Sequence, residues 1–137
     1  MTAVKESSTI QENKKTVFQE CPVTYVMEKI GGYWKPIILF QLLSGKKRYH
    51  ELKKNIPGIS EKVLIQQLKQ LETDDLIVRD ATEHIPPVVH YSLTPSGMAL
   101  RPVLFAMAIW AIEETNMPVS KKLEDFPGGM QPELSRS

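Results

Sequence analysis

Three long polar side chains, Lys62, Gln66 and Lys69, follow one another at intervals of four and three residues. On a helix this spacing places them on one face. A lysine ammonium can donate to guanine O6 and N7, and a glutamine amide can pair with adenine, so these are candidate contacts to base edges. Lys46, Lys47, Arg48, Lys53 and Lys54 are suited to phosphates, with Ser60 and Gln67 as neutral partners for a sugar-phosphate backbone. From Lys35 to Lys69 there are eight basic and two acidic residues, a local charge of +6, while the whole chain carries only +1. A cationic block inside a near-neutral protein is the footprint expected for a polyanionic partner. The plainer reading of the same charges is a solvated lysine-rich face.

Cys21 is the single cysteine, so no intrachain disulfide can form, which suits a reducing compartment. Pro22 after it favours a helix start, and a cysteine at a helix N-terminus has its thiolate favoured by the dipole and free amides. Glu20 opposes this, and a small buried apolar side chain is the competing reading. Two copies of the chain could join through Cys21 if their N-terminal helices met. His50, His84 and His90 lack metal-ligand spacing, and neither a Gly-rich phosphate loop nor a nucleophile elbow occurs. Glu72, Asp74 and Asp75 read as a solvated helix end. We expect no enzyme, no metal and no cofactor.

The elements that must position these groups follow from periodicity. Leu52 and Ile56 mark a short first helix, Pro57-Gly58-Ile59 a turn, and Ser60 the N-cap of a second helix. Leu64, Leu68 and Leu71 form its apolar stripe, opposite Lys62, Gln66, Lys69 and Thr73. This is the layout of a helix-turn-helix. Upstream, Val23, Val26, Met27 and Ile30 give one helix an apolar face, ended by Gly31-Gly32. A second, from about Trp34 to Leu43, is apolar nearly all round and should form the buried centre. Lys46-Lys47-Arg48 should then lie on a loop.

Beyond Asp75 two β-prone runs, 77–81 and 88–93, flank Pro86-Pro87 and predict a hairpin with an exposed tip, a wing. It would carry Arg79, His84 and His90 beside a minor groove, although His84 reads equally as a solvated loop histidine. Thr94-Pro95 starts a helix that runs to about Glu114, with Pro102 kinking or breaking it. Val103, Met107 and Trp110 expose more apolar surface on it than a small monomer readily covers, which suggests a partner helix.

With 137 residues, 42% hydrophobic and 24% charged, the chain suits one soluble domain. Residues 1–15 read as a flexible arm without the apolar core of a signal peptide, and 117–137 as a disordered tail. The longest apolar run, Val103 to Ile112, is shorter than the roughly 20 residues that cross a bilayer, so no membrane partner and a cytoplasmic, nucleoid-associated location are expected.

The chain from Cys21 to about Glu114 resembles the HxlR-type regulators, winged-helix transcription factors akin to the MarR group. The matching stretches are Cys21-Pro22-Val23, Ile30-Gly31-Gly32-Tyr33-Trp34-Lys35, Arg48-Tyr49-His50-Glu51-Leu52, Ile56-Pro57-Gly58-Ile59-Ser60, Leu64-Ile65-Gln66-Gln67-Leu68 with Leu71-Glu72, and Tyr91-Ser92-Leu93-Thr94 with Gly97. The resemblance implies a mainly α fold with a small β wing, spanning residues 16–116. It implies a homodimer built through the N- and C-terminal helices, with Val23, Val26, Met27, Val103, Met107 and Trp110 at the interface. It further implies binding to an inverted-repeat operator in double-stranded DNA, and in some members a sensor cysteine for oxidants or electrophiles at the position of Cys21. A winged helix used only for protein contacts, and a regulator controlled by a small-molecule effector near the dimer helices, stand as alternatives.

Overall fold

The structure is a computed structural model that describes residues 21–117. The expected arm at 1–15 lies outside the described residues, as does the expected tail from residue 118 onward. The chain divides into two compact units, Met1–Tyr33 and Trp34–Ser137.

In the first unit the helix α1 spans Pro22–Ile30, with Cys21 at its N-cap and proline in its first turn. Lys29 Nζ lies 5.6 Å from the centre of the Tyr25 ring. Val23 and Met27, one turn apart, are exposed, and Val26 is half-buried.

The second unit begins with α2, Trp34–Leu42. Ile38, Leu39 and Leu42 on it are buried, as the all-round apolar pattern predicts. The helix-turn-helix follows as α3, Tyr49–Asn55, and α4, Glu61–Thr73. Gly58 in the turn has φ +82, a left-handed conformation that costs glycine nothing and a side chain about 1 kcal/mol. Ser60 Oγ accepts from the Val63 amide at 3.2 Å, satisfying one of the orphan donors of α4. At the other end the Leu76 amide donates to Leu71 O and the Asp75 amide to Glu72 O, both at 3.0 Å. This is a Schellman closure, with Asp75 at φ +61 in the place usually taken by glycine. The acidic helix end is therefore a helix stop. Leu64, Leu68 and Leu71 are buried, as are Leu52, Ile56 and Ile59, and α4 packs against α2 and the strand Ile77–Ala81.

The wing is larger than the sequence suggests. Strand β1, Lys47–Arg48, joins β2, Ile77–Ala81, and β3, Val89–Leu93, in an antiparallel sheet of order β1-β3-β2. The expectation that Lys46-Lys47-Arg48 lies entirely on a loop is corrected at Lys47 and Arg48. Two charged residues carry no alternation, and only the pairing with Tyr91 and His90 on β3 makes them a strand. Residues 82–88 close the hairpin: the Thr82 amide donates to Val88 O, and the Val88 amide to Thr82 Oγ1, both at 2.9 Å. Pro86 and Pro87 are exposed there, as expected.

The long helix expected after Thr94 is two. Thr94 caps α5, Pro95–Met98, by accepting from the Gly97 amide at 3.0 Å. Pro102 then lies in the first turn of α6, Arg101–Thr115, where its missing N–H costs nothing. Gly97 is buried, and a β-carbon there would collide with the carbonyl oxygen of Leu76. The Thr94 hydroxyl donates to Asp75 O at 2.7 Å, so the base of the wing, the end of α4 and the start of α5 are tied at one point. Leu104, Phe105 and Ile109 of α6 are buried, and Phe105 meets Phe40 of α2 edge to face at 6.4 Å. By length and composition alone the stretch Pro95–Thr115 could cross a bilayer, which corrects the expectation that nothing here is long and apolar enough. The stretch is broken before Arg101 and mixes the buried Leu104, Phe105 and Ile109 with exposed residues.

Candidate nucleic-acid interface

The outer face of α4 is built by default: once Leu64, Leu68 and Leu71 turn inward, a pitch of 3.6 residues turns Lys62, Gln66 and Lys69 outward. All three are exposed, as is Ser60 at the cap. Ser60 Oγ spends an acceptor site on Val63, which leaves its hydroxyl proton for an outside partner. Gln67 is half-buried at the margin of the core face, away from the centre of the outer one.

The phosphate candidates are distributed by the sheet. Residues paired across a sheet share a face. Lys47 pairs with Tyr91, and Tyr91 with Arg79, so Lys47 and Arg79 flank Tyr91 on one face. Arg48 pairs with His90, and His90 with Asp80, on the other. Thus β1 brings Lys47 to the same side as the wing residue Arg79 and sends Arg48 away. Lys47 Nζ also donates to Ser44 Oγ at 2.8 Å, which steadies its side chain. Arg48 serves the backbone as well, its amide donating to Glu51 Oε1 at 2.7 Å at the start of α3. That bond holds the Glu51 carboxyl below its ordinary pKa, and the nearby Lys47, His50 and Arg48 side chains act in the same direction. Lys46 and Lys54 are exposed, Lys53 is half-buried, and His84 sits exposed in the wing loop.

Two further positions belong to this region although their residue types do not mark them as site residues. Tyr49 opens α3, and its buried Oη has no hydrogen-bond partner among the described residues. Burial pushes its pKa up, helped by the carboxylate of Glu61, the first residue of α4, and by Tyr91 on β3. Tyr49 therefore lies where α3, the start of α4 and the sheet converge, a position no periodicity reveals. Ile65, read in the sequence only as part of a matching stretch, is 44% exposed.

In the first unit, Cys21 is a free, half-buried thiol at the N-cap of α1. It makes no side-chain capping bond, but the backbone amides of Val23 and then Thr24 favour its thiolate, so its pKa lies below the ordinary thiol value. No group of three or more His, Cys, Asp or Glu among the described residues is arranged to hold a metal ion.

On α6, Val103, Met107 and Trp110 are exposed, Trp110 to 66%. A shallow apolar groove, bordered by Pro36, Ile37 and Phe40 of α2 and by Leu104, Met107 and Ala108 of α6, lies alongside.

The HxlR-like helix-turn-helix family model matches residues 29–118. The HTH-type transcriptional regulator YdeP of Bacillus subtilis (strain 168) is 44% identical over 93 residues, 68% of this chain and 73% of that protein. Among solved structures, the redox regulator HypR in its oxidized form superposes with a TM-score of 0.66 at 38% identity, covering 72% of this chain and all of that one. The reduced form of the transcriptional regulator YodB from B. subtilis gives 0.61 at 34% identity, covering 69% and 94%.

Proposed function

Since the chain belongs to the HxlR-like helix-turn-helix family of transcriptional regulators, we propose that it binds double-stranded DNA as a homodimer on an inverted-repeat operator. The observation that carries the reading is the outer face of α4, where Lys62, Gln66 and Lys69 stand exposed on a helix capped by Ser60 and stopped at Asp75. In this reading α4 enters the major groove and those three side chains meet base edges. Lys46, Lys47, Lys53, Lys54 and Ser60 hold the sugar-phosphate backbone, and Arg48, on the opposite sheet face from Lys47, and Gln67, at the margin of the outer face of α4, reach it from the flanks. Arg79 and His84 reach the adjacent minor groove from the wing. Val23, Val26 and Met27 of α1 and Val103, Met107 and Trp110 of α6 bury their apolar surface against a second copy. The pairing sets the two recognition helices about one helical turn apart on DNA. Residues 16–116 act as one DNA-binding and dimerisation domain, in the cytoplasm and at the nucleoid.

Control through Cys21 is the second element of the proposal, favoured by the amides that lower its pKa and by the redox regulators among the structural neighbours. Its thiolate adds to an electrophilic carbon, or is oxidised by a peroxide to sulfenate with release of water. The modified α1 then alters the spacing of the two recognition helices without touching DNA. A small-molecule effector in the groove beside Met107 is the alternative route of control. The experiment is a gel shift of the full chain with DNA upstream of its own gene. A retarded band that survives excess nonspecific competitor is expected. No retardation, with an intact circular dichroism spectrum, would leave the module for protein contacts as the reading.

A further inference from the structure

Between Trp34 and Leu76, Ile65 is the one large apolar side chain that is exposed among the described residues. A single exposed aliphatic group is common on proteins, but the neighbours of Ile65 are not neutral surroundings. Lys62 precedes it by three residues and Lys69 follows by four, so both adjoin it on the helix surface, and both are exposed. Gln66 is next in the chain. Ile65 also lies in the N-terminal half of α4, the half that approaches bases when a recognition helix enters the groove. A second protein would have to bury this methyl-bearing group between two ammonium groups. A DNA major groove offers acceptors and phosphates to the lysines and one apolar feature to the isoleucine, the C5-methyl of thymine.

We propose that Ile65 is a specificity-determining residue that reads thymine through its 5-methyl group. The inference rests on the DNA-binding reading above and adds a base identity to it. β-Branching restricts χ1 of Ile65 on a helix, so its two Cγ groups are held ready for contact without further ordering. Each half-site then contains a thymine next to the positions contacted by Lys62 or Gln66.

The test begins with selection of bound duplexes from a random pool by the full chain. Each thymine of the selected half-site is next replaced, one at a time, by deoxyuridine, which removes the methyl and leaves base pairing unchanged. Burial of one methyl predicts about a fourfold loss of affinity at one thymine position, and about sixteenfold when both half-sites are changed. Ile65→Ala, at an exposed position and with an unchanged circular dichroism spectrum, should bind the thymine and deoxyuridine duplexes equally. Indifference of the unmodified protein to every deoxyuridine substitution would overturn the proposal while leaving DNA binding intact, and so would an undiminished thymine preference in Ile65→Ala. Failure to enrich any duplex would overturn the DNA-binding reading itself.

Discussion

Helices α4 and α6 are alike on the inside and opposite on the outside. They have 13 and 15 residues, and each buries three large apolar side chains, Leu64, Leu68 and Leu71 on the first and Leu104, Phe105 and Ile109 on the second. Toward solvent, α4 turns Lys62, Gln66 and Lys69, whereas α6 turns Val103, Met107 and Trp110. Burial on one side alone explains why both are helices in the core. It does not explain the second face, and there the two suit different surroundings. Ammonium and amide groups gain from a wet, acceptor-rich polyanion. An indole and a thioether gain from losing water altogether.

The comparison breaks first at the recognition face. If Lys62 and Lys69 each donate to a base edge as proposed, Lys62→Ala combined with Lys69→Ala should weaken operator binding by roughly a hundredfold, with thermal stability unchanged. Equal binding by the double variant in fluorescence anisotropy would remove α4 from the interface. On the other face, Trp110→Asp should raise the dimer dissociation constant roughly thirtyfold or more, because a charge replaces a large apolar anchor. Sedimentation equilibrium checks this, and a variant that remains as dimeric as the parent would contradict the assignment of α6. Gly97 sits between the two helices in the chain, and Gly97→Ala should cost about 1–3 kcal/mol in urea unfolding, since its β-carbon must displace the Leu76 backbone. A neutral result would show that the junction yields easily.

The smallest effect concerns Cys21. Its pKa is lowered in the folded chain, so the fold favours the charged form. The associated stability is fully present above the unfolded thiol pKa and is lost as pH falls through the folded one. For a half-buried thiol at a helix end the readout is reactivity rather than stability. Alkylation by iodoacetamide should reach half its maximal rate at a lower pH than for a free cysteine. Cys21→Ser should bind DNA normally yet ignore a quinone-type electrophile, and a response retained by this variant would exclude Cys21 from control.

Much of this architecture is legible in local chemistry. Ser60 before a Leu64–Leu68–Leu71 stripe announces both the start and the orientation of α4, and Pro102 marks the break before α6. The polar face follows from the same periodicity, because outward positions are fixed once the inward ones are known. What cannot be read locally is tertiary. Lys47 and Arg48 become a strand only through β3, more than forty residues later, and the opposed faces of Lys47 and Arg48 follow from that pairing. The burial of Tyr49 Oη, within the electrostatic reach of Glu61 on α4 and Tyr91 on β3, has no signature in the residues beside it. Within the apolar run Val63-Leu64-Ile65, residue type alone does not separate the buried Leu64 from the exposed Ile65. The acids at 72, 74 and 75 are chemically ambiguous, since αL is usually glycine's and here Asp75 takes it.

On the proposed reading the exposed face of α4, with the cationic residues around it, meets a polyanion. The measurement that decides this is the salt dependence of operator binding by the full chain. If each protomer neutralises about four phosphates, a plot of log K against log salt concentration should fall with a slope of roughly −7. A slope near zero would mean that no phosphates are neutralised and that this face does not meet DNA.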